Sequence, residues 1–470
     1  MTCSREAPPR AGERSCTFGA MCRDRDRARA PRGRTLLRAL ALFAALSGCG
    51  AGPRGRIAEA AQRGDFVAAS GHYATLRASD GDDADLLAFV AEALLVSEAR
   101  SGAPSRRSAA VQQLALAGTR GREPLERLAA DMGPVGTEAL VALARAGQRD
   151  ARRVLRGLAD STAPEVRAAA VLGMEVEGDR TLVVAWCADP AREVREAACG
   201  RLGELAPDTD ILRVLVERAR IDPDAQVRSA AVRALGRFGG LAVLALRDRL
   251  SDAEPRVRAA ALESLLRADR EEGRGAAASL LETPTSQSTL EAARLLATTL
   301  DPGIPPSTAD RASARAHLLG ALTNPDAALR NQAAIALVAV APDDETTAVL
   351  RARVETEPDV GVRLSLARAL LPSATEAARA ALHRLLVEDH GMTGAQAAAL
   401  LAGAGDDEGL ARLRTDRTNG DALVRRVVVR ALARDALRPV EVGDALNDDD
   451  ALVRIQAAGG ILAAAAVRTE

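Results

Sequence analysis

Apolar residues recur along much of this chain at the spacing of an amphipathic α-helix, in paired stretches separated by Pro, Gly or Asp. Residues 189–220 show the pattern most clearly. Asp189 and Pro190 are suited to cap and begin a helix, and Gly203 and Pro207 are suited to end it. One face of each predicted helix is apolar, with Val194, Ala197, Ala198, Leu202 and Leu205 in the first helix and Ile211, Leu212, Leu215 and Val216 in the second. The pattern predicts a helical hairpin whose apolar faces need neighbouring hairpins to cover them.

A Val-Arg or Leu-Arg pair marks these units at a spacing close to thirty residues. It occurs at Val166-Arg167, Val194-Arg195, Val227-Arg228, Val257-Arg258, Leu329-Arg330, Val362-Arg363, Val424-Arg425 and Val453-Arg454. Two of the steps are about twice the usual length, so we expect a degenerate unit inside each. A fixed period in this range indicates a stacked array of helical repeats.

The residues around these pairs, such as DPDAQVRSAAVRALGRFG at 222–239 and DAEPRVRAAALESLL at 252–266, resemble the HEAT repeat, in particular the short variety of the phycobilin lyases. The resemblance covers 160–466 well and 105–160 weakly. It implies an all-α fold, a right-handed α-solenoid of stacked helical hairpins (an armadillo-like superhelix), with the Val-Arg helices on the concave face. It also implies a ladder in which turn acids pair with the arginines, the matching acids being Asp189, Asp222 or Asp224, Asp252, Asp326, Asp359, Asp421 and Asp450. A surface ion pair contributes only about 0–1 kcal/mol, so we expect this ladder to set register more than stability.

The pattern lapses twice. Residues 283–311 contain Pro302, Pro305 and Pro306, which prevent a continuous helix, and 301–310 is either a plain connector or a functional loop. Residues 390–403 place Gln396 near the expected Arg and are interpreted as a decayed unit. Residues 57–104 lack the pair and are expected to cap the array. The predicted organisation is repeats at 105–282, an interruption at 283–311, and repeats with a C-terminal cap at 312–470.

The N-terminus has the pattern of a secretory signal. Arg29, Arg32 and Arg34 precede an apolar run at 36–48 that is too short to span a bilayer. The sequence Leu-Ser-Gly-Cys at 46–49 resembles the bacterial lipobox, which implies a signal peptide at 1–48, a lipid on Cys49 and a short linker to residue 56. Gly50 in place of Asp favours the outer membrane by the same resemblance. The alternatives are an ordinary cleaved signal with a chance Cys, and a later start such as Met21.

Composition narrows the possible partners. Aromatic residues make up 1% of the chain, and every basic residue is Arg. Residues 1–49 hold ten Arg and four acids, which leaves 53 Arg and 60 acids, a net of −7, in the remainder. Because nucleic-acid binding needs a basic face, a weakly acidic body argues against it. We therefore expect a protein partner, a membrane contact through Cys49, and a monomer.

Candidate chemistry is sparse. The four histidines, His72, His317, His383 and His390, form no metal-ligand motif, and paired acids fall in turns where Asp caps helices. Trp186 is expected in the core. Cys187 and Cys199 are interpreted as buried thiols, with a disulfide as the alternative. No catalytic residue, metal or cofactor is predicted.

The sequence thus predicts a non-catalytic, membrane-anchored scaffold or assembly factor of the cell envelope. The alternative is an enzyme similar to a bilin lyase or a metal-dependent hydroxylase of the same repeat class. The candidate partner-binding residues, on exposed positions of the Val-Arg helices, are Glu196, Arg201, Arg233, Arg237, Glu263 and Arg267.

Overall fold

The computed structural model describes residues 52–467 except 102, 132, 175–177, 206–207, 299, 301–304, 341–342, 374 and 435–438. The predicted signal peptide, Cys49 and Pro302 lie outside the described residues. The described residues form α-helices and three short 3₁₀ segments and contain no strand, so the predicted all-α solenoid fold is confirmed. None of these helices is long and apolar enough to cross a membrane.

The helices are numbered in chain order. Those of the first half are α1 Pro53–Gln62, α2 Phe66–Asp80, α3 Ala84–Arg100, α4 Pro104–Leu116, α5 Thr119–Ala129, α6 Pro134–Arg145, α7 Arg149–Arg156, α8 Pro164–Ala170, α9 Arg180–Trp186, α10 Arg192–Leu202, α11 Thr209–Ile221, α12 Ala225–Leu235 and α13 Val243–Arg249. Those of the second half are α14 Pro255–Ala268, α15 Arg270–Leu281, α16 Gln287–Ala297, α17 Thr308–Ala321, α18 Ala327–Val340, α19 Asp344–Thr356, α20 Val360–Leu370, α21 Thr375–Glu388, α22 Met392–Gly403, α23 Asp407–Asp416, α24 Ala422–Arg434 and α25 Ala451–Val467. The 3₁₀ segments are Val171–Gly173, Gly239–Ala242 and Pro439–Asn447.

Helix α12 shows why the sequence folds in this way locally. The Asp224 side chain accepts hydrogen bonds from the amides of Gln226 and Val227 and so satisfies donors that the first turn leaves free. Val227, Ala231 and Leu235 lie at helical spacing and are fully buried. Gly236 follows the last turn, where a Cβ would come within 2.9 Å of the Ser264 side chain on α14. Capping and close packing between repeats therefore begin and end the helix where the sequence predicts.

The helices form two layers. The inner layer, as we call it, consists of the Val-Arg helices and their equivalents: α4, α6, α8, α10, α12, α14, α16, α18, α20, α22, α24 and α25. Each packs directly against the next member, whereas the intervening outer-layer helices make few contacts with one another. In a curved array the more closely spaced helices lie on the inside. Helices α16 and α22 occupy the two long steps, so the prediction of a degenerate unit in each is confirmed.

Residues 56–470 form one compact unit, and the array within it closes on itself. Helix α25 packs against α3 and α4, and the 3₁₀ segment before it packs against α2 and α3. At α4 the approach is so close that a Cβ on Gly459 would lie 2.0 Å from Oε1 of Gln113. The last inner helix therefore receives its outer partner, α3, from the beginning of the array. In place of two separate caps, the chain builds a composite hairpin from both ends.

The apolar core is continuous through this closure. One cluster joins residues of the first helices, including Leu87 and Leu94, to residues of the last, including Ile455 and Leu462. A second cluster runs from Ala170 to Leu265. Helix α25 is buried along most of its length, with ten buried residues. An array end capped by a polar face would leave one side of such a helix in water, so closure explains why its sequence is nearly all apolar.

The segment 283–311 contains the inner-layer helix α16 and the start of α17. Ser286 and Thr289 form a reciprocal capping box at the start of α16, and Ser307 and Asp310 form another at the start of α17. Helix α16 ends at Ala297, before the prolines. The array therefore keeps its helix order through the segment.

Candidate interaction surface of the inner layer

Five rungs of the ladder, those of Arg167, Arg195, Arg228, Arg330 and Arg425, share one geometry, which Arg195 illustrates. Its Nε and Nη2 donate to Oδ2 and Oδ1 of Asp222 at 2.8 and 3.0 Å. Its Nη1 donates to the carbonyls of Asp189 and Pro190, both at 3.0 Å. The arginine therefore joins the loop before its own helix to the loop before the next inner helix. Because the Asp222 side chain is fully buried, this pair lies in the interior.

In the described residues, seven arginines of the Val-Arg and Leu-Arg pairs bind an acid, Arg363 and Arg454 by a single contact each. The ion pairs are Arg167–Asp189, Arg195–Asp222, Arg228–Asp252, Arg330–Glu357, Arg363–Glu388, Arg425–Asp448 and Arg454–Glu98. The expectation of a weak surface ladder is wrong, because every acid except Glu388 is at least nine-tenths buried. Removing one partner of a buried pair costs about 3–5 kcal/mol.

Four of the predicted ladder acids have another role. Asp326, Asp359 and Asp421 cap the helices that follow them, accepting from the amides of Ala328, Val362 and Leu423. Asp450 caps α25 and also pairs with Arg426. The ladder acid generally lies three residues before the helix, whereas these aspartates lie one residue before it. A side chain one residue before a helix accepts hydrogen bonds from the free amides of that helix's first turn. The prediction that these four aspartates are ladder acids is therefore wrong.

Hydrogen bonding keeps the buried acids ionised. Burial raises the pKa of Asp252, but bonds from Arg228 and the Glu254 amide outweigh it, so the pKa lies below its ordinary value. The same balance, with the ladder arginine as donor, lowers the pKa of Asp189, Glu357 and Asp448. The bond to Asp252 in turn raises the pKa of Arg228. The rungs of Asp189, Asp252, Glu357 and Asp448 therefore each hold two full charges at neutral pH.

Where the ladder lapses, both positions are usually neutral. The Arg position, the fourth residue of an inner helix, holds Leu290 in α16 and Ala395 in α22. The acid positions that would face them hold Asn324 and Asn419. Gln396, predicted near the Arg position, lies one residue beyond it and is exposed. A neutral pair avoids leaving one charge without its partner in a largely buried place.

Arg258 departs from this rule. Its helix, α14, has the usual Val-Arg pair, but the acid position three residues before α16 holds Pro284. Nη1 still donates to the carbonyls of Asp252 and Ala253, both at 2.9 Å, and Nη2 donates to Oγ of Ser288 at 3.3 Å. Among the described residues no carboxylate pairs with it. Sequence reasoning missed this position, although Pro284 in register with the other ladder acids was the available signal.

The six predicted contact residues differ in how freely they could bind a partner. Arg201 is mostly buried, pairs with Glu204 and donates to the Met174 carbonyl at 2.6 Å. Arg237 donates to the Gly203 carbonyl at 3.1 Å, and Glu263 pairs with Arg267 at 2.7 Å.

Glu196 and Arg233 are the freest of the six. Both are exposed on inner helices, and no bond to a described residue engages their charges. These two side chains are the best placed to contact a partner, while Arg201 stabilises the turn.

The exposed charges of the inner layer change sign along the array. Helices α8 and α10 expose Glu165, Glu193 and Glu196, together with Arg192. From α12 to α25, every exposed charged residue in the described inner helices is an arginine: Arg233, Arg256, Arg267, Arg368, Arg430 and Arg434. The net negative charge of the chain body therefore does not extend to this part of the inner surface, which is basic.

The histidines lie apart from one another. His383 bonds Asp406 and Glu408, each at 3.0 Å, beside the start of α23. His317 is partly buried, and that burial lowers its pKa. His72 and His390 are exposed. Within the described residues, no group of three or more His, Cys, Asp or Glu is arranged to hold a metal ion.

Cys187 and Cys199 are free thiols in the second apolar cluster, with their sulfur atoms 3.8 Å apart. The hydrogen bond with Cys187, followed by burial, raises the pKa of Cys199 well above its ordinary value. Trp186 also lies in this cluster, as predicted. These residues fill the core between α9 and α10.

Comparisons with known proteins agree with the repeat architecture. A family model for HEAT repeats matches residues 181–266. No curated protein sequence matches the chain. Solved structures similar to it include YibA of Escherichia coli, at 16% identity over 62% of this chain and 97% of that one, with a TM-score of 0.30. Others are a chain of the Kap95:Nup1 complex, at 13% identity over 88% and 77% with a TM-score of 0.35, and importin beta, at 15% over 77% and 60% with a TM-score of 0.33. The family match assigns residues 181–266 to HEAT repeats.

Proposed function

We propose that this protein is a non-catalytic scaffold that binds a protein partner on its inner layer. The observation that carries the proposal is the division of labour among the inner-layer charges. The charged side chains of the ladder bind one another between repeats. A second group of charged side chains, including Glu196 and Arg233, is exposed and is not bound to described neighbours. Surface charges of this kind steer and select protein partners.

Closure supports a scaffold role. Repeat proteins bind through extended concave surfaces, and an array with free ends can change its curvature. Here the Arg454–Glu98 pair and the apolar contacts of α25 join the two ends, so the inner-layer side chains are held at fixed separations. A preorganised surface loses less conformational entropy on binding.

We further propose that a lipid on Cys49 anchors the protein, as a monomer, to the outer membrane of a bacterial envelope. The support is the lipobox-like sequence that follows an apolar run. The anchor would lie only a few residues before α1, which starts at Pro53. The array would then be held close to the bilayer and would present its inner layer to partners there.

Two measurements test these statements separately. Membrane fractionation of the wild type and of Cys49→Ser tests the anchor, because the variant should move to the soluble fraction. Crosslinking in cells, followed by identification of the captured proteins, tests the scaffold. The double charge reversal Glu196→Arg with Arg233→Glu should lose the specific partner while keeping the native circular dichroism spectrum. Unchanged capture by the reversed variant would contradict binding at this surface.

A matched control keeps the second measurement specific. Arg351 is an exposed arginine on the outer helix α19. Arg351→Glu changes the charge of the other layer and should leave capture unchanged. Sedimentation of the protein in detergent checks the expected monomer.

A further inference from the structure

A cavity of about 650 Å³ lies between α14, α16 and α18, on the side of the array where Arg258 has no ladder acid. This volume is within the range of sites that bind small ligands or a few residues of a peptide. Arg258 and Ser288 line it from α14 and α16, and Ile335 lines it from α18. The missing acid at Pro284 and the cavity therefore occur at the same junction between repeats.

The charges of the cavity are not balanced. Arg294 is bound to Glu291 by two hydrogen bonds of 2.6 and 2.8 Å, which neutralises that pair. The remaining charged lining residues are Arg256, Arg258 and Glu254, with a net charge of +1. In the other rungs, an arginine at the equivalent of Arg258 holds a carboxylate. Here Nε donates to no described residue and Nη2 donates only to Ser288 Oγ at 3.3 Å, so Nε and the second hydrogen of Nη2 are available to a carboxylate from outside the chain.

The cavity also has apolar surface beside the guanidinium group of Arg258. Leu262 and Leu290 form part of its wall, and Ile335 remains 54% exposed although it is a large apolar residue. Such a combination suits a peptide in which an acidic side chain follows an apolar one. It suits a nucleic acid less well, because none of the lining residues is aromatic and bases bind such surfaces by stacking.

The surrounding surface favours the same partner. All six exposed charged residues of the inner helices from α12 to α25 are arginines; Arg256 lies at the cavity, and Arg267 on the same helix is paired with Glu263. A basic surface raises the rate of association with an acidic segment.

We propose that this cavity binds an acidic peptide segment of the partner protein, with one carboxylate on Arg258 and an adjacent apolar side chain on Ile335. This inference rests on the proposed function as a protein-binding scaffold, whose partner class it specifies.

The test uses the purified full chain and a fluorescein-labelled octapeptide that alternates Glu with Leu, with binding followed by fluorescence anisotropy. Arg258→Gln should weaken binding about tenfold or more, because it removes the charge-assisted hydrogen bonds to the peptide carboxylate. The outer-layer variant Arg351→Gln should bind like the wild type. A peptide with Gln in place of Glu should bind at least tenfold more weakly than the acidic one.

A second variant keeps Arg258 but supplies it with a carboxylate partner from within the chain, so that it can no longer bind a peptide carboxylate. Pro284→Asp places a carboxylate at the ladder position, where it should pair with Arg258 and reduce peptide binding without lowering the melting temperature. Thr283→Asp adds the same charge one residue away and should have a much smaller effect. Equal binding by wild type, Arg258→Gln and Pro284→Asp would overturn the proposal, as would tighter binding of a single-stranded oligonucleotide of equal charge.

The experiments distinguish failure of the Arg258 site from failure of the proposed scaffold function. Capture of a partner in cells, lost in the Glu196 and Arg233 reversal but unaffected by Arg258→Gln and Pro284→Asp, would leave the scaffold standing and reject this site. Peptide binding at Arg258 with no protein captured in cells would reject the scaffold instead.

Discussion

Two hairpins of this protein, one continuous in sequence and one assembled from both ends, are each joined by an arginine–carboxylate pair. In α10 and α11, Arg195 reaches an acid 27 residues later in the chain. In the composite hairpin of α25 and α3, Arg454 Nη2 donates to Oε1 of Glu98, 356 residues away, at 2.6 Å. Arg454 Nη1 also donates to the carbonyls of Asp448 and Asp449, as Arg195 does to its own loop. The closing contact therefore resembles a rung of the ladder, but it has one side-chain bond in place of two, and its acid lies within helix α3.

The two hairpins differ in the chain entropy that is lost when their two paired residues are brought together. Bringing together ends separated by 356 rather than 27 residues costs about 2 kcal/mol more by the logarithmic dependence on loop length. One ion pair cannot supply this on its own, because desolvation offsets most of its attraction. The buried apolar face of α25 supplies the remainder, with residues such as Val453, Ile455 and Leu462 in the shared core. Closure thus depends on apolar burial, and the rung selects its register.

The most severe way to break the comparison is to delete residues 451–470, which leaves Asp448 in place for Arg425. Loss of the buried α25 side chains should lower stability by on the order of 5–10 kcal/mol, at about 1.5–3 kcal/mol for each large apolar residue. Hydrogen exchange should show that protection is lost first in α3, the deleted helix's partner. Deletion of 468–470 alone is the control. Retained protection in α3 would mean that the composite hairpin does not hold the ends together.

Acid should weaken all the rungs with lowered pKa values together, in both kinds of hairpin. Asp189, Asp252, Glu357 and Asp448 have lower pKa values folded than their ordinary values. Their stabilisation is therefore complete above the unfolded pKa, near 4, and is lost as pH falls through the folded value. Urea midpoints measured between pH 7 and pH 3 should fall mainly below about pH 4.5. A midpoint independent of pH across this interval would contradict paired, ionised rungs.

Breaking one rung in the continuous part should have a smaller but still large effect. Asp222→Asn leaves Arg195 without its counter-ion at a fully buried site and should cost about 3–5 kcal/mol in urea unfolding. The matched control is Glu196→Gln, the same loss of a carboxylate charge at an exposed position where no described arginine binds it. That variant should change stability by less than about 0.5 kcal/mol. Equal effects of the two substitutions would show that the pairing with arginine is not what matters.

The smallest effect is expected for the rung at the closure. Glu98→Gln keeps a hydrogen-bond acceptor but removes the charge facing Arg454, at a side chain that is 10% exposed, and should cost about 1–3 kcal/mol. Hydrogen exchange should increase in α3 and α25 and remain unchanged in α10 and α11. Faster exchange spread evenly over the array would show that the two hairpins do not open independently.

Much of the fold could be predicted because each repeat is encoded locally. Helical spacing in 189–220 predicted α10 and α11, and the Val-Arg period predicted the inner helices of 160–466. The roles of the candidate site residues could be predicted less well from the sequence. Whether Glu196 is exposed while Arg201 is held in a turn depends on contacts with neighbouring helices, which the period of the sequence does not contain.

The sequence by itself determined the repeat, its helix boundaries and the alternation of arginine with an acid, since these follow from local spacing and capping. The tertiary structure decided which acid each arginine binds, because Asp448 and Asp450 both precede α25 and only the fold of the loop shows that Asp448 faces Arg425. It also decided that the array closes. No local pattern connects Arg454 to Glu98; their meeting depends on the curvature accumulated over all the intervening repeats.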